Sequence, residues 1–74
     1  MKAILKFDLP EDEIEFIWAT KSKYMAALIF DLDQWLRSNI KYAPDGMSSD
    51  TYTAYETCRD QLHELMNEHN INLE

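Results

Sequence analysis

The residues most able to do chemistry sit near the C-terminus. His63-Glu64-Leu65-Met66-Asn67-Glu68-His69 places two imidazoles and two carboxylates within seven positions. A zinc-protease helix needs its second histidine four residues after the first, so that both rings face one ion. Here that position is Asn67, and the two histidines are six apart, about 240° around a helix. Cys58 and His63, five apart, align no better. The segment therefore reads as a polar helix end, and no metal site is assigned. Cys58 falls on an apolar helical stripe, where a free cysteine behaves as a small buried hydrophobe. Nothing nearby in sequence would activate it as a nucleophile except Arg59. A single glycine excludes a glycine-rich phosphate loop, and no Ser-His-Asp or paired-carboxylate arrangement emerges. The chain reads as a non-enzyme with no cofactor.

The densest recognition pattern is Asp33-Gln34-Trp35-Leu36-Arg37-Ser38-Asn39-Ile40-Lys41-Tyr42. Asp33, Arg37 and Lys41 recur every four residues and share a helical face. Trp35 and Tyr42 flank them. One reading is a contact site for a protein partner or an anionic ligand, built from Trp35, Arg37, Lys41, Tyr42 and, from a neighbouring helix, Arg59. The structural reading is a surface ladder of Asp33 with Arg37, worth about 0.2–0.5 kcal/mol. Interhelical pairs are a third: in an antiparallel hairpin Arg37 lies near Glu56 and Asp33 near Arg59. A second candidate surface is acidic: Glu11, Asp12, Glu13 and Glu15, directly after Pro10.

These residues need elements to hold them. Lys2 to Leu9 alternates, with Ala3, Leu5, Phe7 and Leu9 on one side, and reads as a half-buried strand that Pro10 ends. Acids after proline suit a helix start, and Ile14, Ile17 and Trp18 follow at helical spacing, which predicts a short helix from about Glu11 to Thr20. Ser22 can cap a second, longer helix with the stripe Met25, Leu28, Ile29, Leu32, Trp35, Leu36 and Ile40. Tyr24, Ala27 and Phe30 lie off that stripe, so the helix has apolar residues on more than one side. A subunit interface, or contact with the first helix, would use such a side.

Ala43-Pro44-Asp45-Gly46 is the clearest turn. Ser48, Ser49 and Asp50 are cap candidates for a third helix, whose stripe is Tyr52, Tyr55, Cys58, Leu62, Leu65 and Met66, with Asn70 as its stop. Ile71-Asn72-Leu73 alternates again and reads as a short strand, pairing with residues 2–8 of its own chain or of a partner. The expectation is one domain over residues 1–74 of the α+β class, mainly α: N-terminal strand, short helix, two longer antiparallel helices, short C-terminal strand.

Bulk properties limit the function classes. With 74 residues the chain is short for a self-sufficient core. One cysteine forms no internal disulfide, which leaves association as the natural source of further burial and predicts a homo-oligomer, dimer or higher. Fourteen acids against seven bases give a formal charge of −7, which argues against direct nucleic-acid binding. No run approaches the ~20 apolar residues of a membrane span, and the start lacks the charged and apolar regions of a signal peptide. A cytoplasmic protein is expected.

Four blocks carry a resemblance: Lys2 to Asp12, Asp33 to Tyr42, Cys58 to Leu65, and Ile71 to Leu73. Together they resemble a family of small, mostly uncharacterised accessory proteins of tailed bacteriophages. Thr20-Lys21-Ser22-Lys23 departs from that family's usual Gly-Ser-Lys before the central helix. The resemblance implies a protein made inside an infected bacterium that binds and inhibits or modulates a host or anti-phage defence protein. Two other functions fit the same chain. One is an oligomeric sponge that holds an anionic nucleotide with Arg37, Lys41, Tyr42 and Arg59. The other is a structural subunit of a phage complex.

Overall fold

The computed structural model describes residues 1–73 and consists of two antiparallel helices, α1 (Glu13–Lys41) and α2 (Ser49–Glu68). There is no strand among the described residues, so the expected α+β class is replaced by an all-α hairpin. The molecule is elongated, 54 × 29 × 19 Å, with a radius of gyration of 17.3 Å.

The largest difference from the sequence reading is in α1. The short helix and the long helix expected on either side of Thr20-Lys21-Ser22 are one continuous helix of 29 residues. Nothing between Glu11 and Ala43 is a glycine or proline, so no residue forces a break. Ser22 does not cap. Its hydroxyl donates to the Ala19 carbonyl at 2.9 Å, and Thr20 does the same to Ile17 at 2.7 Å. Hydroxyls bonded back along the preceding turn are satisfied inside a helix and leave it intact.

The helix begins at a compact turn. The Asp12 N–H donates to the Asp8 carbonyl at 2.8 Å, and the Asp8 N–H donates to the Asp12 carboxylate at 3.0 Å. Lys2 to Leu9, expected as a strand, joins no ladder. Besides that turn, Phe7 is half-buried, its ring meeting Phe16 edge-on at 5.7 Å between centroids. A pleat pattern makes a strand only where another strand takes up its backbone N–H and C=O groups. The C-terminal residues do not do so. Asn72 and Leu73 run along α1, where they line a recess of about 340 Å³ with Ala26, Ala27 and Phe30.

The connection and α2 follow their sequence signals. Residues 42–48 link the helices, and the Met47 N–H donates to the Pro44 carbonyl at 3.0 Å. Ser48 is the cap: its Oγ accepts the Thr51 N–H at 3.2 Å, satisfying one of the donors a helix start leaves open. At the other end Asn70 adopts a left-handed φ of 54°. Ile71 N–H then donates to Met66 and Asn70 N–H to Asn67, at 2.8 and 3.2 Å. That pair of bonds is a Schellman stop, and asparagine tolerates the conformation it requires.

The two helices share little interior. Leu36, at 5% exposure, is the only buried apolar residue among the described residues. Ile29 and Ile40 on α1, with Tyr55, Leu62 and Met66 on α2, are half-buried around it. The rest of the expected core stripes stands outside this contact line. Met25, Leu28, Leu32 and Trp35 of α1, and Tyr52 and Leu65 of α2, are exposed. Cys58, expected as a buried hydrophobe, is exposed and unpaired.

Candidate functional site: the Asp33 cluster

One side of the hairpin is organised around a single carboxylate. Asp33 sits on α1 just off the line that faces α2, and the antiparallel register brings Arg59 and His63, one turn apart on α2, against it. Arg59 Nε donates to Asp33 Oδ1 at 2.9 Å, and Arg59 Nη2 reaches Oδ2 at 3.5 Å. His63 Nε2 lies 2.6 Å from Oδ1. An ionised carboxylate only accepts, so the imidazole proton is on Nε2. Gln34 Nε2 approaches Oδ2 at 3.4 Å. The Asp33 side chain is 15% exposed. The Arg59 hydrogen bond holds its carboxyl below the ordinary carboxylate value, against the opposing effect of burial and with help from His63.

Beside the cluster runs an open groove of about 770 Å³, lined by Phe30, Gln34, Asn67, Asn70 and residues 71–73 as well as by Asp33, Arg59 and His63. No serine, threonine, cysteine, lysine or tyrosine lines it. An Asp–His pair orients a base for a nucleophile only where a nucleophile is within reach. Here both partners of the pair are turned on each other and on Arg59, so the arrangement works as an interhelical clamp. The described residues contain no group of three or more His, Cys, Asp or Glu able to hold a metal ion. Among the described residues no helix is long and apolar enough to cross a membrane.

No family model matches the chain, and no curated protein or solved structure is detectably similar to it. Function therefore has to be read from the molecule's own surfaces.

The predicted site residues separate. Of the pairs expected across the hairpin, Asp33–Arg59 forms and Arg37–Glu56 does not. Both Arg37 and Glu56 lie about 100° round from the contact line, so they diverge. Asp33 is committed to α2, and it forms no ladder with Arg37. Trp35 stands on the opposite side of α1, edge-on to Tyr55 at 5.7 Å. Lys41 and Tyr42 sit together at the end of α1, the ammonium 5.5 Å from the ring centroid. A nucleotide pocket made of Arg37, Lys41, Tyr42 and Arg59 is thus not assembled within one chain. Glu11, Glu13 and Glu15 are exposed at the far end of α1, while Asp12 is half-buried and bonded to Asp8. The residue sequence reasoning missed is His63. Once Asp33 is set opposite Arg59, the residue one turn later on α2 must face the same carboxylate.

Proposed function

We propose that this protein is a non-enzymatic accessory protein of a tailed bacteriophage, acting in the host cytoplasm by binding and inhibiting or modulating a bacterial host or anti-phage defence protein. The observation that carries the binding reading is the near-absence of an interior. One buried side chain among the described residues, with large apolar side chains left outside along both helices, supports a chain that completes its burial by association. The phage context comes from the resemblance in four sequence blocks. The docking surface for a host protein is the acidic end of α1, Glu11, Asp12, Glu13 and Glu15. It suits a basic partner and lies away from the Asp33 clamp.

Affinity capture of the tagged protein from infected cells, with mass spectrometry and nucleotide extraction on one eluate, tests this. One enriched host or defence protein is the expected result. Glu11→Lys with Glu15→Lys then abolishes its capture while the helical circular dichroism is unchanged. An eluate holding only phage proteins, or only this chain with a nucleotide, overturns the reading.

A further inference from the structure

The chain exposes 6669 Å², whereas a compact folded monomer of 8.8 kDa exposes roughly 4,800 Å². Its radius of gyration of 17.3 Å compares with about 11 Å for a compact domain of this length. Each chain thus carries about 1,900 Å² more surface than a self-contained fold, or about 3,800 Å² for two copies, inside the 2,000–5,000 Å² that obligate homodimers bury.

Part of this excess forms a continuous surface on one side of α1. Ile14, Ile17, Tyr24, Leu28, Leu32 and Trp35 are all exposed and follow one another at steps of three, four and seven, so they form one strip along the helix. The strip runs for about 32 Å. Helical projection puts it on the flank opposite the Asp33 clamp, where the exposed Cys58 and Leu65 of α2 continue it. Its one charge is Lys21.

The charges along α1 indicate what covers the strip. In chain order they are Glu13 and Glu15, Lys21 and Lys23, Asp31 and Asp33, Arg37 and Lys41. That order becomes its own opposite when read backwards. Of these, Lys21 lies on the strip and Asp31 at its edge, whereas Asp33 and Arg37 lie on the clamp side. A second α1 laid antiparallel and crossing the first at Ala26 puts Ile17 opposite Trp35, Tyr24 opposite Leu28, and Lys21 opposite Asp31. Parallel pairing in register would instead set Lys21 against Lys21 within the strip.

We propose that a second copy of this chain covers the strip, pairing α1 antiparallel with α1 to make a dimer of hairpins. The dimer is independent of any host partner and leaves the acidic end of each α1 outside the central contacts.

Sedimentation equilibrium of the purified chain at micromolar concentration tests it, with no other protein present. The expected mass is twice 8.8 kDa. Leu28→Glu shifts the mass to the monomer or weakens association beyond detection. Because that variant can also lose its fold, a charge exchange fixes the register. Lys21→Glu weakens the dimer about tenfold or more, as expected for like charges brought face to face. Lys21→Glu with Asp31→Lys restores it. A folded monomer at all concentrations, a larger oligomer, a dimer indifferent to Leu28→Glu, or a double variant no tighter than Lys21→Glu alone overturns the proposal.

Discussion

The two flanks of this hairpin meet opposite fates. On one, Asp33, Arg59 and His63 satisfy each other across the helix pair. On the other, Leu28 at 66% and Trp35 at 54% exposure have no comparable shelter. The polar flank has directional bonds with fixed geometry, and it sets how α1 and α2 align. The apolar flank supplies most of the surface whose burial would stabilise the molecule, at about 25 cal/mol per Å², yet the chain buries little of it. Helix alignment is settled within the chain, and in the proposed dimer much of the stability comes from contact with the second copy.

Both halves of that contrast can be broken. Leu36→Ala removes the one side chain buried among the described residues, for which the expected loss is about 2–5 kcal/mol. With so little interior this leaves the monomer largely unfolded, as far-ultraviolet circular dichroism at low concentration would show. Retention of full helicity and an unchanged melting midpoint would mean that Leu36 is not the keystone of the helix contact.

Asp33→Asn tests the polar flank and has a smaller expected effect, about 1–3 kcal/mol for charge-assisted bonds of this kind, toward the low end because Arg59 and His63 are partly exposed. Urea unfolding measures it, with Arg37→Gln as a control that shifts the midpoint little. The pH dependence follows the same group. The Asp33 carboxyl titrates lower in the folded chain than its ordinary 3.8. Its stabilisation is therefore complete above the unfolded value and is lost as pH falls through the folded one. The urea midpoint of the natural chain falls on acidification in that window more steeply than that of Asp33→Asn. Parallel pH profiles would remove Asp33 as the organising charge.

How much of this was legible in the sequence divides along physical lines. Features set by local chemistry could be read directly: the Pro44-Asp45-Gly46 turn, a serine cap on α2 and Asn70 as its stop; Asp33 opposite Arg59 was one of three readings and depended on the hairpin. Features that depend on what else is present could not. Lys2 to Leu9 alternates like a strand, but alternation specifies a face and supplies no pairing partner. Thr20-Lys21-Ser22 looks like a boundary, since serine caps helices, but serine also bonds back within one. Tyr52, Cys58 and Leu65 carry helical periodicity as surely as Tyr55, Leu62 and Met66 do. Periodicity marks which residues are apolar, and it takes a second surface to decide which of them are covered.

Trp35 gives the most direct test of the contrast between flanks, because it stands on the open one. In a Trp18→Phe background it is the only tryptophan, and its fluorescence can be followed from high micromolar to low nanomolar concentration. The account predicts blue-shifted, quencher-protected emission at high concentration that moves to the red on dilution, in step with the loss of the dimer mass. Red, quencher-accessible emission at every concentration from a folded chain would contradict it.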